Sequence, residues 1–303
     1  MLWTLFVATI GVMAGQILSE IRAVLAGAGL APQHRFGQNF LIDLNLMRKL
    51  VDAADLSPAD TVLEVGPGTG SLTEILLDRG VRVVAVEIDH GFQAILRERL
   101  GTHPRFTLIQ ADALATKHCV NPLVLKILSE QPPDAGGAYK LVANLPYQIA
   151  TPLLVDLLQV TPPFERLTCT IQREVGERLA GQPRTDAYGP VSVVVQTLAD
   201  VTPLAIIPPA AFWPRPQVES IMLTVRPRPP EQVEVDDVPA FVALVQRGFQ
   251  QRRKMLRRLL RELDESAAQA AFQRAGVSPD ARPEELSPTQ WRRLFRWLPR
   301  ASR

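Results

Sequence analysis

The sequence predicts an α/β fold: a doubly wound, mostly parallel sheet followed by a small all-α C-terminal domain. Three observations predict it. Short apolar runs alternate with helical patterns from Thr61 onward, which is the signature of βαβ units and a parallel sheet. A glycine-rich run, Glu64-Val65-Gly66-Pro67-Gly68-Thr69-Gly70, sits between the first of these strands and its helix. After Pro227–Pro230, with three prolines in four residues, the pattern is helical only. The length of 303 residues suits two ordinary domains. Their expected bounds are about 17–228 and 229–303, preceded by an extension of residues 1–16.

The elements follow in order. From Ile17 to Ala28, Ile17, Leu18, Ile21, Val24 and Leu25 recur at helical spacing. His34–Leu41 is a polar, glycine-containing loop, and Leu44–Ala54 is helical up to Ser57-Pro58. Thr61–Val65 is a strand, and Ser71–Asp78 a helix closed by Gly80. Val81–Val86 is a buried strand ending at Glu87, with a helix at Phe92–Leu100. Phe106–Gln110 is a third strand, ending at Asp112, and Pro122–Ser129 is helical. Tyr139–Ala143 is a fourth strand running into Asn144-Leu145-Pro146-Tyr147. Beyond it the pattern gives a helix at Pro152–Leu158, a strand at Leu167–Gln172 and a helix at Glu174–Ala180. Gly181–Pro190 is turn-rich, and Val191–Thr197 and Ile221–Val225 read as strands. Helices are expected at Pro239–Phe249, Arg252–Leu263, Ala267–Ala275 and Pro288–Trp297.

Composition excludes several classes. Hydrophobic residues make up 47% and charged residues 21%, as in an ordinary globular chain rather than a collagen, a disordered protein or a polytopic membrane protein. Met1–Gly15 is apolar but has no basic residue before the apolar run. It is also shorter than the roughly 18 residues a membrane span needs. No membrane association is expected, and Met13 is an alternative start. Two cysteines, Cys119 and Cys169, exclude a disulfide framework and a Cys-rich zinc site. His34, His90, His103 and His118 are scattered without a triad partner, so no metal and no hydrolase chemistry are expected. The net charge is only +2, yet residues 226–303 carry 16 basic and 10 acidic side chains. Such asymmetry points to a polyanionic partner at one end.

The chemistry-bearing residues stand at the strand ends. The glycine spacing is Gly-x-Gly-x-Gly with no following lysine, so it is not a triphosphate loop. It is either an ordinary tight βα turn or one whose backbone approaches a ligand closely. Glu87, 21 residues after Gly66, stands where a carboxylate accepts both ribose hydroxyls of a nucleoside. Asp112, ending the third strand, is placed to meet an adenine amino group. Gly66, Gly68, Glu87 and Asp112 together predict a nucleoside cofactor in the crevice outside the strand ends. Asn144-Leu145-Pro146-Tyr147 adds reactivity. The Asn144 carboxamide oxygen and the Leu145 carbonyl are two acceptors for the hydrogens of an exocyclic amine, and Tyr147 is a stacking face. An adenine N6 lone pair is delocalised into its ring. Two acceptors on its hydrogens localise that pair and aim it at an electrophilic methyl. Residues 247–261, RGFQQRRKMLRRLLR, hold seven basic and no acidic side chains. They read as a solvated helix face or as a surface for RNA phosphate, with Arg252, Arg253, Lys254 and Arg257 as the candidates.

These blocks resemble one family. Gln38–Leu41, Glu64–Gly70, Glu87, Asp112 and Asn144–Tyr147 are similar to the KsgA/RsmA family of small-subunit (16S) ribosomal RNA adenine N6,N6-dimethyltransferases. So are Gln172–Val175, Tyr188–Val193, Phe212–Ser220 and Phe249–Leu256. The resemblance spans roughly Ile17–Trp297. It implies a Rossmann-like class I methyltransferase sheet and S-adenosyl-L-methionine as cofactor. It implies dimethylation of two adjacent adenosines in the 3′-terminal hairpin loop of 16S rRNA, coupled to maturation of the immature 30S subunit. Carried over by motif, Asn39, Leu41, Gly66, Glu87, Asp112 and Asn144 contact the cofactor. Asn144, Leu145 and Tyr147 hold the target amine, and Phe212 stacks on the flipped base. A cytoplasmic monomer is expected. Two alternatives stand beside this reading: a large-subunit RNA adenine methyltransferase, and an assembly factor that binds RNA without catalysis.

Overall fold

The computed structural model describes residues 18–32, 38–117, 119–250, 254–258 and 265–298. They divide into two compact units. The first runs through Arg173 and takes in Pro203–Arg226; the second comprises Glu174–Thr202 and the chain from Pro227. Residues 174–202, which the sequence expectation grouped with the first domain, thus pack in the second unit.

The first unit opens with a helix at 18–27 (α1). The next, Leu44–Ala53 (α2), starts at Asp43, whose carboxylate accepts the amides of Asn45 and Leu46 at 2.9 and 3.1 Å. Strand Thr61–Val65 (β1) is buried at every residue, as expected of a strand covered on both faces. There follow Ser71–Asp78 (α3), Arg82–Glu87 (β2), His90–Leu100 (α4), Phe106–Gln110 (β3), Pro122–Glu130 (α5), Tyr139–Asn144 (β4), Ala150–Leu157 (α6) and Phe164–Gln172 (β5). Helices Arg173–Leu179 (α7) and Pro190–Leu198 (α8), which fall in the second unit from Glu174 on, lead to strands Ala199–Ile207 (β6) and Ser220–Pro227 (β7). The sheet order is β3-β2-β1-β4-β5-β7-β6. Strands β1 to β5 pair in parallel, and β7 runs antiparallel to β5. The chain winds outward from β1 to β3, then α5 carries it back to β4 on the other side of β1. That reversal between β1 and β4 opens the crevice in which ligands of such sheets bind.

The second unit closes around Trp291, with Phe241, Phe272, Leu294 and Phe295 buried beside it. Its helices from Pro227 onward are Pro230–Val233 (α9), Val238–Gln250 (α10), Glu265–Ala275 (α11) and Pro288–Trp297 (α12). Ser287 caps α12, its hydroxyl accepting the Gln290 amide. The Tyr188 hydroxyl is buried and donates to the Leu286 carbonyl at 2.6 Å.

Two expectations are corrected, and one strand goes unread. Val191–Thr197 reads as a strand because it is rich in β-branched residues, but it lies inside α8. Pro190 opens that helix, and the Gly189 amide donates to Ser192 Oγ at 3.0 Å. Packing of the valines outweighs their propensity. Strand β6 goes unread because Pro203 interrupts it. It stands at the sheet edge, where a proline costs no ladder bond. The helix expected at Arg252–Leu263 is, within described residues 254–258, a single 3₁₀ turn at Leu256–Arg258. There the Leu256 and Arg257 amides donate across the chain to the carbonyls of Ala281 and Pro279, both at 2.9 Å.

Candidate active site

The ends of β1, β2, β3 and β4 converge on one open cavity. Asn39, Gly66, Gly68, Glu87, Asp112, Asn144, Leu145 and Tyr147 all line it. Leu41 lines an adjoining cavity shared with Glu64, Gly66 and Asn144. Parallel strands leave their C-terminal ends side by side, so residues far apart in sequence meet here.

The glycine loop is built for close approach. Gly66 and Gly68 have φ of +73° and +58°, which L side chains rarely adopt. A Cβ on Gly68 would lie 2.7 Å from the Phe40 ring, and one on Gly66 3.2 Å from Pro146. The Gly68 amide donates to Glu87 Oε2 at 3.2 Å, and the Asp89 amide to Glu87 Oε1 at 2.9 Å. Both Glu87 oxygens are thus fixed in place by the backbone at the rim of the cavity. Burial pushes the Glu87 carboxyl above the usual carboxylate range, and the Asp89 and Gly68 amides pull it back. Asp112 Oδ1 accepts the Leu114 amide at 3.0 Å.

Glu64 is buried beneath the loop and accepts the Thr73 hydroxyl at 2.7 Å. Burial pushes its pKa up to about 8, against the lowering effect of Thr73 and with a smaller push from the charge of Glu87. The fold therefore holds a proton that the unfolded chain, with a pKa near 4.5, releases. This contribution to stability is fully present below about pH 4.5 and is lost as pH rises through about 8. Glu64→Gln keeps an acceptor for Thr73 and removes the titration. Its melting temperature is expected to fall less than wild type's between pH 5 and 8, by circular dichroism. Parallel profiles for the two proteins would refute a protonated Glu64.

The Asn144 carboxamide is held at both ends. Its nitrogen donates to the Asn39 carbonyl at 2.9 Å, and its oxygen accepts the Thr170 hydroxyl. The Leu145 amide donates to the Thr170 carbonyl at 3.1 Å. The Tyr147 hydroxyl bonds Ser220 Oγ at 2.7 Å, and burial pushes the phenol's pKa upward. Sequence reasoning missed Thr170 and Ser220. The only signal for them was a hydroxyl residue near the end of one strand, Phe164–Gln172, and at the start of another, Ser220–Pro227.

Phe212 is placed differently from the expectation. The short strand Phe40–Leu41 pairs antiparallel with Phe212–Trp213, with Leu41 opposite Phe212 and Phe40 opposite Trp213. Alternation then sends the two pairs to opposite faces. Phe212 packs with Leu41 in the core, 2% exposed, and is not among the residues lining the cavity. Phe40 lines the cavity instead, its ring edge-on to Phe92 at 5.5 Å and stacked near Trp213 at 6.4 Å. Of the basic candidates, Lys254 and Arg257 are exposed, and Arg257 pairs with Asp280 at 2.9 Å. Arg252 and Arg253 lie outside the described residues. Arg292, on α12, is turned onto the Gln232 and Val233 carbonyls.

The lining suits a nucleoside that is not phosphorylated. Among the described residues that line the cavity there is no lysine or arginine, while Glu87 and Asp112 are there. Ile88, Phe92 and Ile149 supply apolar walls for a base. Carboxylates in the lining favour a cationic adenosine such as S-adenosylmethionine over a nucleotide.

The family model described as "Ribosomal RNA adenine dimethylase" matches residues 30–300. A protein of Moorella thermoacetica named "Ribosomal RNA small subunit methyltransferase A" is 39% identical over 280 residues, covering 91% of this chain and 96% of that protein. A protein of the same name from Picosynechococcus sp. is 38% identical over 268 residues, covering 86% and 95%. Among solved structures, the 23S rRNA methyltransferase ErmE is 29% identical with a TM-score of 0.64, covering 86% of this chain and 99% of that one. A dimethyladenosine transferase from Plasmodium falciparum, at 22% identity and a TM-score of 0.67, covers 83% and 94% and shares the fold. The match over nearly the whole length, together with the four strand ends that meet at Asn144, makes this chain a member of the ribosomal RNA adenine dimethylase family, whose reaction is S-adenosylmethionine-dependent dimethylation of adenine in ribosomal RNA.

Proposed function

We propose that the chain dimethylates N6 of two adjacent adenosines in the 3′-terminal hairpin loop of 16S rRNA. It does so as a cytoplasmic monomer acting on the immature small subunit. The observation that carries this is the Asn144–Tyr147 turn beside an acidic, glycine-floored nucleoside cavity. Glu87 accepts the ribose hydroxyls, Asp112 faces the adenine amino group, and Asn39, Leu41 and the Gly66–Gly68 backbone hold the rest of the cofactor.

S-adenosylmethionine supplies an electrophilic methyl carried on a sulfonium. Asn144 Oδ1 and the Leu145 carbonyl accept the two N6 hydrogens and aim the nitrogen lone pair. Tyr147 stacks on the base, which must leave its helix to enter. As the N6–CH₃ bond forms, the S–CH₃ bond breaks. N6 then carries positive charge and loses a proton to water, so no strong base precedes transfer. Positioning supplies most of the effect. The monomethylated amine keeps one hydrogen, so one acceptor suffices in the second round.

The exposed Lys254, Arg257, Arg293 and Arg296 of the second unit, with Arg252 and Arg253, grip RNA phosphate in this reading. Such contacts give affinity and salt dependence rather than sequence choice. The small-subunit substrate is favoured over a large-subunit one by the relatives at 36–39% identity. The test is methylation of immature small subunits with labelled S-adenosylmethionine, followed by nucleoside analysis. Dimethyladenosine at two adjacent positions is the expected result. No label, with S-adenosylmethionine binding intact, would overturn the substrate assignment in favour of large-subunit RNA, and tight subunit binding without label would leave an assembly factor.

A further inference from the structure

We propose that Thr170 is the positioning residue that sets both amine acceptors of the reaction, an inference that rests on the role given to Asn144 and Leu145. The target amine needs oxygen, not nitrogen, presented by the Asn144 carboxamide. A half-turn of that amide exchanges acceptor for donor, and a donor aimed at N6–H blocks the bond. Thr170 lies on β5 in register with Asn144 on β4 and is fully buried. Its hydroxyl donates to Asn144 Oδ1, while the Asn39 carbonyl, which can only accept, takes the amide nitrogen at 2.9 Å. One lone pair of Oδ1 is thereby occupied and the other is left for the amine.

The second acceptor depends on the same residue. The Leu145 amide donates to the Thr170 carbonyl at 3.1 Å, which orients the turn carrying the Leu145 carbonyl. Thr170 thus reaches one acceptor with its side chain and the other with its main chain. A residue serving only the sheet does not need this hydroxyl. Valine fills the same volume on a buried strand, and a hydroxyl buried there without a partner is costly. The Thr170 hydroxyl has its partner in Asn144.

The experiment compares Thr170→Val, Thr170→Ser, Asn144→Ala and wild type, as full chains, on immature small subunits with labelled S-adenosylmethionine. Thr170→Val removes the hydroxyl and keeps volume, strand propensity and the main-chain bond to Leu145. Its kcat is expected to fall about tenfold. KM for the subunits and calorimetric affinity for S-adenosylmethionine should stay within about twofold of wild type, the latter because Glu87 and the glycine loop are untouched. Thr170→Ser, which restores a hydroxyl, is expected to recover kcat to within about threefold. Wild-type kcat in Thr170→Val overturns the proposal. So does a Thr170→Ser variant as slow as Thr170→Val, or a parallel loss of cofactor affinity. If Thr170→Val precipitates, Thr170→Ala carries the same expectations. Near-normal turnover of Asn144→Ala would instead refute the underlying role of Asn144, so the two failures are distinguishable.

Discussion

Asn144→Ala is expected to lower turnover by about 10²–10³-fold or more, the scale on which removal of one aimed polar group in an active site acts. The carboxamide is placed, not merely present. It ends β4, its nitrogen is tied to Asn39 and its oxygen to Thr170. Without it, the amine keeps only the Leu145 carbonyl, and the lone pair of N6 stays spread into the ring. The fold should lose little. The Thr170 hydroxyl and the Asn39 carbonyl each lose one bond, at most about 1–3 kcal/mol apiece, part of which water in the open cavity restores, against a total stability of about 5–15 kcal/mol. Methyl incorporation, a thermal melt and calorimetry with S-adenosylmethionine separate these effects. Turnover near wild type would sink the assignment.

Glu87→Ala should act on binding instead. Two charge-assisted hydrogen bonds to ribose are lost, each worth about 1.5–3 kcal/mol. At least a 100-fold loss of affinity for S-adenosylmethionine is therefore expected. The same substitution strips the Gly68 and Asp89 amides of their acceptor, so the glycine loop loosens where the cofactor lies on it. Glu87→Gln probes the charge. Its amide has one acceptor oxygen, so it cannot satisfy both amides, and an intermediate loss is expected. Calorimetry with S-adenosylhomocysteine, which lacks the sulfonium charge, checks the division. If the loss arises at the ribose, both ligands weaken equally, because both carry the same diol. Unchanged affinity in Glu87→Ala would remove the carboxylate from the cofactor site.

Most of the site was legible because its residues stand at punctuation points. Gly66, Gly68, Glu87, Asp112 and Asn144 each follow a short apolar run, and a parallel sheet aligns such ends. The glycines are readable since only that residue tolerates φ of +73° and +58° beside Pro146 and Phe40. Phe212 was legible as a motif and misplaced as a side chain. Its direction is set by its pairing with Leu41, and a two-residue bridge leaves no periodicity in the sequence.

The alternation of strands and helices, the loop that forbids side chains, and the residue types able to hold a nucleoside and an amine could all be read from the amino-acid order. Those are local properties, written in spacing and in the chemistry of single residues. Long-range packing and bonding made Val191–Thr197 helical, put β6 at the sheet edge, set Phe40 rather than Phe212 in the cavity lining, and brought Thr170 and Ser220 to Asn144 and Tyr147. Each of these depends on what packs or bonds against the residue from a distant part of the chain. Burial outweighs local propensity by more than the propensity differences themselves, which are under about 1 kcal/mol per residue.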